Sequence, residues 1–312
     1  MARPLRIEYP DAFYHITSRG NEQQNIFKSD RDYERFLTYL ETSVQRYRAI
    51  IHAYCLMNNH YHLLLETPMG NLSQIMRHIN GAYTTYYNTK RQRAGHLFQG
   101  RYKAILIEAD EYAEELSRYI HLNPVRAGIV GKPEEYQWSS YQYYTGKKHT
   151  HKWLTKEYIL GYFGKETTTA QKKYIAFVNA LIGKKYDNPL KETVASTILG
   201  DKGFVDEIKE KYLNNKKTDR NLPALRELKK TNIEEIIGEV EIMLGKNEAI
   251  SRKAGIYLSH RYSGRWLREI GEYFGIGESA VSQESRRFRL ILDKDKKLNK
   301  KVEDICKRLK LV

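Results

Sequence analysis

The chain has few cysteines and no long apolar stretch. Its 312 residues include two cysteines, Cys55 and Cys306, which are far apart and have no partners at metal-binding spacing. This excludes a disulfide framework and a zinc finger, and it is typical of a reducing cytoplasm. No run of about 18 apolar residues and no signal-peptide core occurs. We therefore expect a soluble, cytoplasmic protein that does not contact membranes. No G-x-x-x-x-G-K-[ST] run is present either, which excludes a P-loop helicase domain.

The charge of the chain is strongly positive. There are 53 lysines and arginines against 38 acidic residues, a formal charge of +15. Such a surface attracts phosphate, and counterion release makes the binding salt-sensitive. The chain also has 25 tyrosines. Tyr83, Tyr86 and Tyr87 lie near Lys90 and Arg91, so they could stack on unpaired bases or could belong to the core.

Residues 58–66, NNHYHLLLE, form the most informative segment. Two turn-prone asparagines precede an apolar run, which predicts a β-strand. Because residues i and i+2 of a strand share a face, His60 and His62 would project side by side. Two adjacent imidazoles make half of a metal site. The alternative is two surface histidines that alternate with core residues.

Residues 110–124, DEYAEELSRYIHLNP, predict a helix that is capped by Asp110 and ends at Pro124. Tyr119 and Asn123 are four residues apart and would share a face. His60, His62 and Asn123 could therefore hold a divalent cation while Tyr119 attacks a phosphodiester. We expect Mg²⁺ or Mn²⁺, although imidazole also tolerates zinc or nickel. Tyr112, on the same helical face, is the rival nucleophile.

The element order predicts an α+β fold whose first part has the ferredoxin-like β-α-β-β-α-β arrangement. We expect domain limits of 1–150 for a catalytic domain, 151–229 for an all-α connector, and 230–312 for a helix-turn-helix domain with a basic tail. The predicted strands and helices of the first domain are 13–18, 30–48, 49–57, 60–66, 72–90, 102–108 and the helix from 110.

The last domain contains WLREIGEYFGIGESAVSQESRRFRLIL. Leu267–Phe274 and Ser279–Leu292 are predicted helices joined by the turn Gly275-Ile276-Gly277. Ala280, Val281 and Phe288 would face inward, and the polar side chains, Ser285 among them, mostly outward. This spacing favours a helix-turn-helix over an ordinary helical hairpin. The DNA contacts that we expect from it are Gln283, Arg286, Arg287 and Arg289.

Four segments together resemble a known family: YHITSRGN (14–21), MNNHYHLLLE (57–66), GHLFQGRYKA (95–104) and RYIHLNPVRAG (118–128). Their order and spacing are similar to those of the single-tyrosine HUH transposases, and most of all to the REP-associated tyrosine transposases of bacterial chromosomes. Asn58 stands where that family commonly has proline, at a position that carries no ligand. The C-terminal region resembles the helix-turn-helix domain of the bacterial replication initiator DnaA.

The resemblance implies a metal-dependent endonuclease and strand transferase that acts on single-stranded hairpin DNA in the bacterial nucleoid. Tyr119 would form a 5′-phosphotyrosine and release a 3′-hydroxyl. We expect Arg19, Arg101 and Lys103 to contact phosphates, and flanking duplex to bind the C-terminal domain. His15 would flank the site or be a packed core histidine. A monomer is expected, with a dimer as the alternative. Two other functions remain open: a non-catalytic DNA-binding regulator, and a replication initiator or relaxase-like nickase.

Overall fold

The computed structural model describes residues 5–148, 151–184, 188–213, 223–228, 232–246, 248–309 and 311. The chain divides into two compact units: Arg6–Val205, and Asp206–Val312 with Leu5. The linker that the NNKKTDR run (214–220) predicts lies outside the described residues.

The first unit is a sheet covered by helices, and its early elements follow the predicted order. The strands are β1 (Ala12–Arg19), β2 (Ile50–Met57), β3 (His60–Thr67), β4 (Lys103–Ile107) and β5 (Ile198–Leu199). The helices are α1 (Asp30–Tyr47), α2 (Leu72–Lys90), α3 (Ala109–His121), α4 (Asn123–Arg126), α5 (Tyr141–Tyr144), α6 (Glu157–Gly161), α7 (Thr167–Asn179) and α8 (Lys202–Ile208), with 3₁₀ turns at Asn21–Gln23, Pro133–Glu135 and Pro189–Glu192.

The sheet has the strand order β2-β3-β1-β4-β5. The first four strands are antiparallel to their neighbours, and β5 is parallel to β4. The order β2-β3-β1-β4 is that of the ferredoxin-like arrangement, so the predicted α+β fold is confirmed. The histidine strand β3 lies between β2 and β1, inside the sheet.

The two faces of the sheet carry different helices. On one face Tyr61 of β3 packs against Phe36 of α1, with ring centroids 4.8 Å apart, and Phe36 lies 5.1 Å from Tyr83 of α2. On the opposite face α3 covers a core that includes Leu64 and Ile120. Because side chains alternate along β3, His60 and His62 lie on the α3 face.

Residues beyond 150 belong to the same packing as α3. Tyr174 of α7, Ile159 of α6 and Leu199 of β5 are fully buried in the core beneath that helix. His121, at the end of α3, binds the Tyr174 hydroxyl through Nδ1 at 2.6 Å. The domain limits expected from the sequence stay a prediction. The described residues of 151–205 belong to the sheet unit, and the expected all-α character of the connector was wrong, because the connector contributes strand β5 to the sheet.

Two details of the α3 region differ from the sequence prediction. The residue that caps α3 is Glu108, and Asp110 lies in the first helical turn, so the predicted cap was wrong. Its carboxylate still suits the positive end of the helix dipole. α3 ends at His121, before Pro124 as predicted, but a separate short helix, α4, begins at Asn123 with the proline in its first turn. Proline is tolerated there since the first-turn N–H has no intrahelical partner.

The second unit is helical. It contains a π-helical turn at Lys209–Leu213 and the helices α9 (Pro223–Leu228), α10 (Ile233–Leu244), α11 (Ala249–Tyr262), α12 (Leu267–Phe274), α13 (Glu278–Lys294) and α14 (Lys296–Arg308). Two apolar clusters hold α10–α14 together, one around Phe288 and one around Phe274. None of the described helices has the length and apolar character needed to cross a membrane.

Candidate active site

The two histidines of β3 are neighbours on one face of the sheet, as the alternation predicted. Their ring centroids are 5.0 Å apart. Opposite residues of an antiparallel pair share a face, so Arg19 of β1 lies across from His60, and Thr17 lies across from His62. Thr17 also pairs with Lys103 of β4, which extends the same row. The strand register therefore brings Arg19 and Lys103 to the rim of the histidine pair.

A short loop closes the sheet beside this row. The amide of Gly20 donates to the carbonyl of Asn59 at 2.8 Å, and Gly20 bridges to Phe98. A Cβ on Gly20 would lie 2.1 Å from the Gln24 carbonyl oxygen, so only glycine fits. The SRGN, NNH and LFQG segments of the sequence thus meet at the end of β3.

His60 is oriented by the asparagine that precedes it. Its Nδ1 lies 2.7 Å from Asn59 Oδ1, while Asn59 Nδ2 donates to the carbonyl of Gln23 at 3.1 Å. The Gln23 carbonyl fixes which end of the amide is the nitrogen, so the oxygen must face His60. His60 therefore carries its proton on Nδ1 and its lone pair on Nε2. Burial and the charge of Arg19 lower the pKa of His60 to about 4, so the ring is neutral at pH 7.

His62 contacts a third histidine. Its Nδ1 lies 3.0 Å from Nε2 of His15 on β1, and the two rings stack with centroids 5.2 Å apart. His15 pairs across the sheet with Leu64, which makes it the diagonal neighbour of His62. The exposed fractions are 1% for His15 and 6% for His62. Burial lowers the pKa of both rings, to about 3 for His15, so both are neutral.

Tyr119 of α3 reaches this cluster. Its ring centroid is 5.9 Å from that of His62 and 6.0 Å from that of His15, both edge-to-face. The side chain is 8% exposed. Asn123 follows one turn later, and its Nδ2 donates to the Tyr119 carbonyl at 2.8 Å. Since the amide nitrogen of Asn123 binds that backbone carbonyl, the amide oxygen is the atom that could bind a cation.

Two other titratable side chains of α3, Tyr112 and His121, turn away from His60 and His62. Tyr112, the rival nucleophile, directs its hydroxyl toward Glu192 at 3.5 Å. His121 is enclosed by the Tyr174 hydroxyl and by Ser140 Oγ at 2.7 Å. Of the two tyrosines considered, Tyr119 is the one that the structure brings to His62.

One residue near Tyr119 was missed by the sequence analysis. The guanidinium carbon of Arg126 lies 4.8 Å from the centroid of the Tyr119 ring, within cation–π range. Arg126 is exposed, and its charge contributes to the lowered pKa of His62, after burial and the other two histidines. The sequence spacing could have identified Arg126, because it is seven residues after Tyr119 and shares its helical face. Arg19 and Lys103 are exposed as well, and Arg101 lies exposed just before β4.

The donor atoms can be compared with the needs of a divalent cation. Across the described residues, no three His, Cys, Asp or Glu side chains are arranged to hold a metal ion. The expected set has an asparagine amide as its third member. Metal-binding histidines normally use the second ring nitrogen in a hydrogen bond that fixes their orientation. Nδ1 of His60 binds Asn59 and Nδ1 of His62 contacts His15, so the Nε2 atoms of the two histidines and the Asn123 oxygen are the donors that could hold such an ion.

The tyrosine cluster of α2 has a structural role. Tyr83 and Tyr87 are fully buried, and their hydroxyls donate to the carbonyls of Ile26 and Asn25. Tyr86 binds the carboxylate of Asp32 at 3.1 Å. Buried rings cannot stack on a base, so the base-stacking interpretation was wrong for Tyr83 and Tyr87.

In the second unit, α12 and α13 are joined by the predicted three-residue turn. Gly275 has a left-handed conformation with φ of 66°. A Cβ on Gly271 would lie 2.4 Å from the Ile276 carbonyl oxygen, so glycine lets the turn approach the helix. Val281 and Phe288 of α13 are buried, as predicted. Ala280 is half-buried.

The polar face of α13 has one residue that differs from the sequence prediction. Gln283, Arg286, Arg287 and Arg289 are exposed. Ser285 is buried, because its hydroxyl binds Nδ1 of His260 on α11 at 2.8 Å. Its predicted outward position was wrong.

Comparisons with known proteins agree with the sequence motifs. Residues 8–123 match the family described as "Transposase IS200 like". This range includes His60, His62, Tyr119 and Asn123, and it confirms the resemblance to single-tyrosine transposases. One similar solved structure is described as "Structure of the REP associates tyrosine transposase bound to a REP hairpin". It is 16% identical, the match covers 47% of this chain and 87% of that chain, and the TM-score is 0.41. No curated protein matches the chain.

Proposed function

We propose that the unit Arg6–Val205 is a metal-dependent single-stranded DNA endonuclease and strand transferase of the transposase type. The observation that carries the proposal is that Tyr119 of α3 lies against His62, which neighbours His60 on the same face of the sheet, inside the range that matches IS200-like transposases. A hydroxyl nucleophile beside two oriented imidazoles, with the cations Arg19 and Lys103 next to them, suits phosphoryl transfer.

His60 and His62, through Nε2, and Asn123, through its amide oxygen, would hold Mg²⁺ or Mn²⁺. A bound ion of this kind supplies Lewis-acid polarisation of the scissile phosphate. The protein's own part is to keep the imidazoles neutral and oriented. Burial keeps them neutral, and Asn59 and His15 each occupy one Nδ1.

The proposed reaction is an attack by the Tyr119 hydroxyl oxygen on phosphorus. A bond forms between that oxygen and the phosphorus, and the bond from phosphorus to the 3′-oxygen breaks. The phenol gives up its proton and the leaving 3′-oxygen takes one up, so the products are a 5′-phosphotyrosine and a free 3′-hydroxyl. Arg126, over the Tyr119 ring, and Arg19, opposite His60, would offset the charge of the phosphate.

The recessed position of Tyr119 supports a flexible substrate. Only 8% of the side chain is exposed, so the phosphate must enter the recess to be attacked. A single strand or the foot of a hairpin can bend into it more readily than a stiff duplex. The exposed cations Arg19, Lys103 and Arg126 would guide the backbone in.

For the second unit we propose duplex DNA binding through α13. Its exposed face presents Gln283, Arg286, Arg287 and Arg289, and the Gly275–Gly277 turn has helix-turn-helix spacing. The enzyme would then cut a hairpin with one unit and hold flanking duplex with the other.

The test is covalent capture with hairpin oligonucleotides from the flanks of the gene that encodes the chain. An oligonucleotide labelled at its 3′ end should become attached to the protein, because the 5′-phosphate of that fragment is retained. The same oligonucleotide labelled at its 5′ end should give a released fragment. Tyr119→Phe keeps the ring and removes the attacking oxygen, so the adduct should disappear while hairpin binding is nearly unchanged.

The matched control is Tyr112→Phe, which removes a hydroxyl from the same helix and should leave the adduct at its normal yield. An adduct of normal yield from Tyr119→Phe would show that another residue is the nucleophile. Hairpin binding by the parent protein without any adduct would favour the regulator instead of the enzyme.

A further inference from the structure

The contact between His15 and His62 raises the question of which nitrogen carries the hydrogen. His15 Nε2 and His62 Nδ1 are 3.0 Å apart, so one of the two must donate. Burial disfavours the charged form of either ring, which leaves two neutral arrangements. In one, His62 donates from Nδ1. In the other, His15 donates from Nε2.

Only one arrangement allows His62 to act as a ligand. If His62 donates from Nδ1, its Nε2 carries a lone pair and can bind a cation. If His15 donates instead, the hydrogen of His62 must be on Nε2, and that nitrogen cannot coordinate. The protonation of His15 Nε2 therefore decides whether all three expected metal ligands are available.

We propose that His15 is the positioning residue of the metal site, and that its Nε2 accepts the hydrogen bond that holds His62 as a ligand. The inference rests on the proposed function, because it assigns His62 to the cation. His15 then accepts a hydrogen bond from Nδ1 of His62, just as the Asn59 oxygen accepts one from Nδ1 of His60. One ligand is oriented by its chain neighbour and the other by the adjacent strand.

The surroundings of His15 fit a fixed ring. It is 1% exposed, and it stacks on His62 with an angle of 19° between the ring planes. Tyr119 closes the cluster edge-to-face at 6.0 Å. In this arrangement His15 carries its own hydrogen on Nδ1, a buried atom for which the structure shows no hydrogen-bond partner. That location makes the two arrangements distinguishable, because they place the hydrogen of His15 on different nitrogens.

The first experiment measures Mn²⁺ affinity of the full chain by electron paramagnetic resonance. His15→Leu removes the acceptor, and we expect binding about 10–100 times weaker. His15→Gln places an amide oxygen near the position of Nε2 and should keep the affinity close to that of the parent. His52→Leu removes another buried histidine, whose Nε2 binds Glu66 at 2.9 Å, and should leave Mn²⁺ binding unchanged.

Three outcomes would overturn the inference. Parent affinity in His15→Leu would show that His62 does not need the acceptor. Equal losses in His15→Leu and His15→Gln would assign the effect to packing of the imidazole. Absence of Mn²⁺ binding by the parent protein would remove the metal site of the proposed function as well, so the two failures are distinguishable.

A second experiment needs no substitution, which covers the case of a variant that does not fold. Nitrogen-15 spectra of the histidine side chains in the Mg²⁺-loaded parent report which ring nitrogen carries hydrogen. We expect the hydrogen on Nδ1 in both His15 and His62. A His15 ring with its hydrogen on Nε2 in the loaded protein would overturn the inference.

Discussion

The two compact units differ in where their polar side chains lie. In Arg6–Val205, imidazoles and hydroxyls are buried and joined to one another, as in the His15–His62 contact and the network of His121 with Tyr174 and Ser140. In Asp206–Val312, the described cores are mostly apolar, and the arginines of α13 are exposed. The first unit buries several polar side chains and joins them to one another, whereas the second unit exposes the arginines of α13, although Arg287 pairs with Glu284 at 2.7 Å.

This difference agrees with two kinds of work on DNA. Bond cleavage needs donor atoms held to within about 0.5 Å, which requires locked rotamers and supporting hydrogen bonds. Contact with backbone phosphates is long-range and sequence-independent, so exposed arginines suffice for it. If this difference reflects function, one substitution at the histidine site of the first unit should reduce DNA cleavage severely. One substitution on α13 of the second unit should reduce duplex binding only slightly.

The largest effect is expected from the histidine pair. His62→Ala or His60→Ala removes one Nε2 ligand, and hairpin cleavage should fall below detection. Removal of divalent metal with excess EDTA should do the same to the parent protein. The measurement is the rate of adduct formation on a labelled hairpin. Robust cleavage in EDTA would exclude a metal-dependent mechanism. The buried histidines of the first unit would then need an explanation other than metal binding.

The matched control for these variants is His121→Ala. His121 is buried in the same unit but binds Tyr174 and Ser140 instead of the pair on β3. We expect it to lower thermal stability, because two buried hydroxyls lose their partner. In the fraction of protein that stays folded, Mn²⁺ binding should persist.

The sheet and the histidine pair could be predicted because they depend on short-range patterns. A strand alternates its faces whatever it packs against, so His60 and His62 had to share one. The helix spacing of Tyr119 and Asn123 is fixed in the same way, and α2 has the predicted limits Leu72–Lys90. In the second unit, Gly275 and Gly277 marked the turn before any packing was known.

The residues that could not be predicted depend on contacts between distant segments. The His15–His62 bond joins positions 47 residues apart and requires the β1–β3 register. Ser285 was expected outside because its partner, His260, lies on another helix. Arg126 was overlooked because the helical path was expected to end at Pro124. The burial of Tyr83 and Tyr87 follows from the packing of α2 on the sheet, which their sequence neighbourhood of lysines and arginines concealed.

An intermediate effect is expected from Arg126. Arg126→Gln removes the guanidinium over Tyr119, and the rate of adduct formation should fall by about 10²-fold, typical for loss of one group that offsets charge in the transition state. Hairpin affinity should change much less. The measurement is single-turnover cleavage at saturating DNA, which separates the chemical step from binding.

Arg118→Gln is the control for Arg126 within the same segment. Arg118 also lies over an aromatic ring, that of Phe177, at 3.8 Å, and it pairs with Glu115 away from the histidines. Its removal should leave the rate of adduct formation near that of the parent. Equal losses from the two variants would mean that Arg126 only stabilises the helices.

The smallest effects are expected in the second unit, where each arginine of α13 acts separately. Arg286→Gln, Arg287→Gln and Arg289→Gln should each lower the log–log salt slope of duplex binding by about one unit if that arginine meets a phosphate. Arg308→Gln on α14 removes the same charge elsewhere in the unit and should leave the slope unchanged. The measurement is duplex affinity of the full chain over a salt series. Unchanged slopes in all three α13 variants would show that this helix serves packing or self-association, and the contrast between the two units would then have a cause other than DNA binding.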